Sequence, residues 1–309
     1  MMPREPVPPE RIIVLPPLFA AYIAPARAYP QIWRLALGLA LIAGVYFSWM
    51  AFLGGLLWLA SGLDGLDLRL RVIGQGGDPW SLLLLLSTFA GMALGVWAAA
   101  RLLHKRGLRR VFGGPAAVLR DFSLGVGVML VVGGGLSLVL LPFLPPLEAG
   151  VPLRLWLMFL PLALLGIGLQ TAAEELVFRG YLQQQLAARF TTPLVWMVLP
   201  SVLFGLAHYA PSEMGENTWL VVATTGLFGL IAADLTARTG ALGLAWGLHF
   251  ANNFLAILLI SAMGGLDGLA LFQLPEGAAH ADVMRPLLLA DMALMGVVWA
   301  ACRLWLRRR

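Results

Sequence analysis

Long apolar runs dominate the pattern of hydrophobic and polar positions along this chain. Eight such runs alternate with short polar or basic segments, and each approaches or exceeds the roughly 20 residues that a helix needs to cross a bilayer. They lie at approximately Leu35–Ser61, Trp80–Leu103, Phe122–Leu141, Leu155–Phe190, Pro193–Tyr209, Trp219–Ala237, Ala241–Met263 and Leu287–Trp305. The pattern predicts an all-α polytopic membrane protein with about eight transmembrane helices.

Composition supports the membrane class and excludes a pair of soluble domains. Of the 309 residues, 60% are hydrophobic and 12% are charged, whereas a soluble domain usually has about 25% charged residues. Because Cys302 is the single cysteine, the chain has neither an internal disulfide framework nor a cysteine-based metal site. The proline-rich residues 1–31 are predicted to form a cytoplasmic or interfacial arm, and residues 32–309 an eight-helix membrane domain.

The basic residues give the predicted orientation. With eight spans and a cytoplasmic amino end, 17 of the 21 Lys and Arg residues fall inside and 4 fall outside. This is a strong positive-inside signal, so both termini are predicted to be cytoplasmic. The net charge of +5 therefore indicates topology and contact with anionic lipid, and nucleic acid is excluded as an expected partner. Only Lys105 is a lysine, which favours a GC-rich bacterial source and a multi-pass protein of the bacterial cytoplasmic (inner) membrane.

The most informative polar stretch is Thr171–Tyr181, which places two acids and an arginine in the fourth apolar run. A charge in hydrocarbon costs at least about 2.5–3.5 kcal/mol, so these side chains need partners or a polar cavity. Glu175 and Arg179 are four residues apart on one helical face and can pair. Glu174 points about 100° away from that pair. One acid is thus predicted to be neutralised, and the other to be free for chemistry.

Three later polar residues also lie inside apolar helices. His208 ends one run, and His249 and Asn253 share one helical face four residues apart. Counted from the cytoplasmic helix ends, Glu174 lies at a depth of about 24 Å, His208 at about 22 Å, and the pair on the seventh run at about 12 and 18 Å. Antiparallel helices could therefore bring all four side chains to a similar level.

These residue types suit hydrolysis by an activated water. A carboxylate and an imidazole can deprotonate a water and return its proton to a leaving amine. A second imidazole and a carboxamide can donate hydrogen bonds to the oxyanion of a tetrahedral intermediate. Because no serine or cysteine has a convincing base partner in the sequence, a water nucleophile is favoured over a covalent one. Asp234 and Asp291, in other apolar runs, are interpreted as packing or cavity groups.

Three motifs carry a family resemblance. The stretch EELVFR, which begins at Glu174, fits EExxxR, Phe204–His208 fits FxxxH, and His249–Asn253 fits HxxxN. In this order on successive membrane helices, they resemble the CAAX prenyl protease and bacteriocin-processing family of intramembrane endopeptidases. The resemblance covers about residues 155–260, roughly a third of the chain, and the family's eight-helix architecture agrees with the number of predicted spans.

The resemblance implies a role for each matched residue. Glu174 and His208 would activate the water, and His249 and Asn253 would stabilise the oxyanion. Glu175 and Arg179, with Phe204 in support, would hold the geometry of the site. The implied substrate is a peptide or protein associated with the membrane.

Metal use and two other function classes stay open at this point. The sequence lacks HExxH, and direct water activation needs no metal, so a metal-free site is favoured. A divalent metal such as zinc remains chemically possible, with Glu174, His208 and His249 as its ligands. The alternatives to a protease are an ion- or proton-coupled transporter and a non-catalytic membrane scaffold. In the transporter, the buried side chains would form a relay of Glu174, His208, Asp234 and Asp291.

Overall fold

The computed structural model describes residues 15–262, 265–275 and 281–308, and most of them are helical. The α-helices, labelled in chain order, are α1 Pro17–Ile23, α2 Ile32–Gln75, α3 Pro79–Ser87, α4 Phe89–Leu103, α5 Leu108–Phe112, α6 Pro115–Val128, α7 Gly135–Leu140, α8 Leu153–Glu175, α9 Gln183–Arg189, α10 Leu199–Leu206, α11 Pro211–Met214, α12 Thr218–Thr239, α13 Gly243–Asn253 and α14 Ala281–Leu306. Wider π-helical turns join several of them, at Met129–Gly134, Leu176–Leu182, Leu194–Val198 and Phe254–Leu259. Short 3-10 turns occupy Ala24–Ala28, Leu141–Phe143 and Gly215–Asn217.

Within the described residues, six helical stretches are long and apolar enough to cross a membrane. They are Ile32–Gly62, Pro79–Leu103, Pro115–Phe143, Leu153–Arg189, Pro211–Thr239 and Val283–Leu306. The apolar helices Leu194–Leu206 and Gly243–Leu259 are shorter and occupy the positions of the fifth and seventh predicted spans. The fold class of an all-α multi-pass membrane protein is thereby confirmed. The total of eight crossings and the cytoplasmic position of both termini stay predictions.

Two helix ends show how the sequence sets the limits of the spans. The first crossing ends at Gly62, whose φ of +71° interrupts α2, because a left-handed residue cannot continue a right-handed helix and glycine adopts this conformation without strain. Helix α3 begins with Pro79 at its first position, and the Asp78 side chain accepts hydrogen bonds from the backbone of Trp80 and Ser81. A capping carboxylate followed by proline is a typical helix start.

A small sheet, which the sequence did not predict, joins the segment before α8 to two segments after α13. Its strands are β1 Glu148–Ala149, β2 Ile260–Ala262 and β3 Phe272–Leu274. The order is β1-β3-β2, with β1 antiparallel and β2 parallel to β3. The prediction that the seventh span continues as helix to Met263 is therefore wrong at its end, since the helix stops at Leu259.

The amino-terminal arm is only partly described, because residues 1–14 lie outside the described ranges. The rest of it includes α1, whose Phe19, Tyr22 and Ile23 side chains are buried against the protein. The Phe19 ring centroid lies 4.9 Å from that of Trp196, and the Tyr22 hydroxyl donates to the Val111 carbonyl at 2.5 Å. This part of the arm packs on the helices of the membrane domain.

Close approaches at glycine hold the helices that carry the predicted site residues. A Cβ added at Gly247 of α13 would lie 2.2 Å from the Phe122 carbonyl oxygen of α6. One added at Gly205 of α10 would lie 2.5 Å from the Val222 carbonyl oxygen of α12. Small residues let membrane helices pack this closely. The backbones that carry the two histidines are therefore fixed by direct contact with neighbouring helices.

Candidate active site

A cavity of about 430 Å³ lies between α8, α10, α12, α13 and α14. The side chains of Glu174, His208, His249 and Asn253 all line it, together with Phe204. Its other lining residues are Leu85, Leu86, Phe89, Gln170, Val221, Thr224, Thr225, Phe228, Asn252, Ile257, Leu266, Leu288, Asp291 and Met295. The fold thus places the four residues that the sequence singled out around one mostly apolar cavity.

Glu175 anchors two partners beneath this cavity. Its Oε1 atom lies 3.2 Å from Arg179 NH1, the ion pair that the four-residue spacing predicted. The same oxygen lies 2.8 Å from His249 Nδ1. Because a carboxylate only accepts hydrogen bonds, this contact requires the proton to be on Nδ1 of His249. Glu175 therefore orients His249 as well as neutralising Arg179, a role that the sequence did not predict.

Glu174 faces the cavity from the adjacent position on α8. Its side chain is largely buried, with Oε1 accepting a hydrogen bond from Gln170 Nε2 at 2.9 Å. Its Oε2 atom lies 3.4 Å from His249 Nε2. Among the described residues, no donor makes a hydrogen bond to Oε2, although the atom is buried. A buried carboxylate oxygen of this kind is an acceptor for a bound molecule.

Gln170 links Glu174 to Asn253, and it was not among the site residues predicted from the sequence. Its Oε1 atom accepts a hydrogen bond from Asn253 Nδ2 at 2.8 Å, while its Nε2 donates to Glu174. A carboxamide has two donor hydrogens, so Asn253 keeps one for another partner. The available signal was the four-residue spacing between Gln170 and Glu174, which puts both side chains on one helical face.

His208 and Phe204 complete the site at the end of α10. His208 Nδ1 lies 2.9 Å from the Phe204 carbonyl oxygen. Because a carbonyl only accepts, this bond places a proton on Nδ1 and leaves Nε2 of the neutral ring able to take one up.

The Phe204 ring is shared by three neighbours. Its centroid lies 4.9 Å from the His208 ring and 6.0 Å from the His249 ring. The Arg179 guanidinium carbon is 4.3 Å from the same centroid. Cations are attracted to the face of an aromatic ring at such distances. Phe204 thus supports both histidines and the buried ion pair from one position.

The two remaining membrane acids have different surroundings. Asp234 accepts a hydrogen bond from Trp299 at 2.9 Å and forms ion pairs with Arg238 at 3.0 Å and Arg303 at 3.1 Å. It holds α12 to α14 and does not line the cavity. Asp291 does line it.

Wide helical turns follow the site residues on two helices. One begins at Leu176, directly after Glu175, and another at Phe254, directly after Asn253. Such π-helical turns occur frequently at functional sites, because the extra residue in the turn changes the direction of neighbouring side chains.

A zinc site needs at least three protein ligands. No group of three or more His, Cys, Asp and Glu side chains in the described part of the chain is placed to hold a metal ion. The set Glu174, His208 and His249, named above as the possible zinc ligands, does not form such a group there.

The chain matches known proteins over this region. The family described as "Type II CAAX prenyl endopeptidase Rce1-like" matches residues 153–255, which contain the residues of all three motifs. The protein named "Uncharacterized protein YyaK" of Bacillus subtilis (strain 168) is 28% identical over 262 residues, which cover 81% of this chain and 86% of the relative. No solved structure matches the chain. The match to the Rce1-like family over residues 153–255 confirms the resemblance that the three motifs predicted.

Proposed function

We propose that this protein is an intramembrane endopeptidase of the bacterial cytoplasmic membrane that hydrolyses a peptide bond of a membrane-associated protein or peptide. The observation that carries the proposal is the position of Glu174 Oε2. This buried oxygen accepts no hydrogen bond from the described residues, faces His249 Nε2 at 3.4 Å, and belongs to a cavity that His208 and Asn253 also line.

The proposed reaction starts with a water held between the Glu174 carboxylate and Nε2 of His208. As the water oxygen attacks the carbonyl carbon of the scissile bond, one of these two bases takes its proton. The carbonyl π bond breaks, and its electron pair moves onto oxygen. The apolar walls strengthen each charge interaction in the site, because little water screens it.

The oxyanion that forms would accept hydrogen bonds from Asn253 and His249. Asn253 has a second Nδ2 hydrogen beside the one it gives to Gln170. His249 donates to the oxyanion from Nε2 when both of its nitrogens are protonated, since Nδ1 is already directed at Glu175 Oε1, 2.8 Å away. As the electron pair on the oxyanion re-forms the carbonyl π bond, the C–N bond breaks and its pair leaves with the nitrogen. The proton held by the base passes to that nitrogen, so charge and atoms balance.

The transporter alternative loses one of its required groups. A proton relay through the membrane acids would need Asp234, but that carboxylate is engaged by two arginines and a tryptophan.

The proposed substrate class is a membrane-associated peptide. The family name refers to prenylated substrates, and bacteria generally lack that modification, so the proposal names a membrane-associated peptide without requiring a lipid on it.

A single assay separates the candidates. The protein is reconstituted into lipid vesicles with a peptide library, and cleavage is read by mass spectrometry for the parent, Glu174→Ala and His208→Ala. Cleavage by the parent that both substitutions abolish supports the protease. Intact peptides with a pH-driven solute flux that the substitutions abolish would favour a transporter, and the absence of both activities would favour a scaffold.

A further inference from the structure

Asp291 is the cavity acid that the family motifs do not contain. It lies on α14, well after the matched residues 153–255, and lines the same cavity as Glu174. Its neighbours along that wall are Leu288 and Met295, about one helical turn away on either side. Neither of these side chains can donate a hydrogen bond to a carboxylate.

This carboxyl has no partner among the described residues. None of their side chains donates a hydrogen bond to it or forms an ion pair with it. Two other acids in the membrane helices do have ion-pair partners. Glu175 pairs with Arg179, and Asp234 pairs with Arg238 and Arg303. An acid in a membrane helix usually faces the interior and has a partner, because an isolated charge there is costly. The Asp291 carboxyl therefore has the cavity as the place where a partner could bind.

The charges around the cavity favour a cation. Among the described residues that line it are two carboxyl groups, those of Glu174 and Asp291, and neither lysine nor arginine. A cleft lined by one sign of charge between low-dielectric walls concentrates ligands of the opposite sign. Glu174 accepts a hydrogen bond from Gln170 and is proposed to hold the attacking water, which leaves Asp291 as the acid available to a basic side chain of the substrate.

We propose that Asp291 is a specificity-determining residue that makes the cavity prefer a peptide with a lysine or arginine side chain close to the scissile bond. The inference rests on the proposed peptidase function for its ligand class. In the bound state, the ammonium or guanidinium group of the substrate donates to the Asp291 carboxylate. The aliphatic stem of that side chain then lies against the apolar wall, as long basic side chains commonly do. The reacting bond remains with Glu174 and His208.

The test measures binding without turnover. In Glu174→Gln, the base is lost and Asp291 is the remaining carboxyl of the cavity. Two apolar hexapeptides, identical except for lysine or its uncharged isostere norleucine at one position, are titrated against this variant in lipid nanodiscs. The lysine position is moved through the peptide to find the preferred site. The lysine peptide should bind at least about tenfold more tightly at that site, since a hydrogen bond to a charged group contributes about 1.5–3 kcal/mol.

Further variants assign the preference to Asp291. The double variant Glu174→Gln/Asp291→Asn should bind the two peptides equally, and Glu174→Gln/Asp291→Glu should keep the preference. Asp291→Leu replaces Asp291→Asn if the latter does not fold. Leu289→Ala, a change at an exposed position of the same helix, should leave the ratio of the two affinities unchanged.

Each result has a definite meaning. Equal binding of the two peptides at every position, binding of neither, or a preference that Asp291→Asn leaves intact would overturn the proposal. The parent protein is assayed in parallel for cleavage of both peptides. Lysine-selective binding without cleavage would overturn the peptidase function and leave the selectivity of the cavity standing. Cleavage of both peptides without lysine-selective binding would overturn the proposed role of Asp291 and leave the peptidase function standing.

Discussion

His249 Nδ1 and Glu175 Oε1 lie 2.8 Å apart, although 74 positions separate them in the sequence. The same oxygen is 3.2 Å from Arg179 NH1. One buried carboxylate therefore neutralises an arginine and fixes the orientation of a histidine on another helix. The adjacent Glu174 forms neither of these contacts and faces the cavity. The two consecutive acids have different surroundings, and this difference is the basis of their proposed division of labour.

Replacement of Glu175 should reduce stability more than replacement of Glu174. Glu175→Gln removes the charge from a fully buried group and leaves Arg179 without its carboxylate. Breaking a buried pair by removing one partner costs about 3–5 kcal/mol. Glu174→Gln breaks no such pair with an arginine, and the variant should stay close to the parent. Thermal unfolding of both purified variants measures the difference, and equal melting temperatures would contradict this division of labour.

Replacement of Gln170 should slow the reaction without weakening substrate binding. Gln170→Met keeps the side-chain length and removes the bonds to Glu174 and Asn253. Because bonds to a charged group contribute about 1.5–3 kcal/mol, kcat should fall roughly 10- to 100-fold. KM should change little, since Gln170 is proposed to position the reacting groups and not to bind the peptide. A variant with parental kcat, or with the whole loss in KM, would show that Gln170 has no positioning role.

His104 should make the protein sensitive to acid. It is buried beside α4, between the Tyr29 carbonyl at 3.2 Å and the Tyr181 hydroxyl at 2.8 Å. Burial, helped by the nearby charge of Arg106, lowers the pKa of His104 from 6.5 to about 4. Between these two pH values the unfolded chain binds a proton at this position and the folded protein does not. The stability that the neutral ring provides is therefore present above pH 6.5 and is lost as the pH falls towards 4.

The matched variant for this prediction is His104→Gln, which cannot titrate. Thermal unfolding at pH 7.5 and pH 5 should show a larger loss of stability for the parent than for this variant. Other groups that titrate in this range are common to both proteins and cancel in the comparison. The same loss in both proteins would contradict the buried neutral state of His104.

Removal of divalent metal should leave peptide cleavage unchanged. The reaction proposed here uses the Glu174 carboxylate and two imidazoles directly, so 1,10-phenanthroline or EDTA should not lower kcat. The control is a parallel sample to which Zn²⁺ is returned. Inhibition by the chelator that zinc reverses would mean that Glu174, His208 and His249 act as metal ligands.

The helical spacing and depth of the polar residues made part of the site predictable. Glu175 and Arg179 pair as their four-residue spacing indicated, and counting along the helices allowed the other polar residues to meet at a similar level. A helix has a fixed rise and period, and a charge in an apolar setting needs a partner, so spacing and depth can be read from the sequence.

Contacts between distant segments were not predictable in this way. The bond between Asn253 and Gln170 spans 83 positions, and no local spacing records it. The contact of His249 with Glu175 likewise joins residues that are far apart in the sequence, at 74 positions. Strand β2 was missed because Ile260 follows an apolar helix directly, and a short apolar run reads alike as helix or strand. The burial of His104 has the same kind of cause as these long-range contacts, since its partners Tyr29 and Tyr181 lie 75 and 77 positions away in the chain.

The central claim is that Glu174, together with His208, activates the water. The most direct measurement is kcat for Glu174→Gln, a change that keeps the shape of the side chain, in lipid vesicles with a peptide that the parent cleaves. Glu213→Gln, on the short helix α11, is the matched control for the same chemical change at an exposed position. We expect kcat to fall by at least about 10²–10⁴-fold in Glu174→Gln and to stay at the parental value in the control. A folded Glu174→Gln protein that cleaves the peptide at the parental rate would contradict the proposed mechanism.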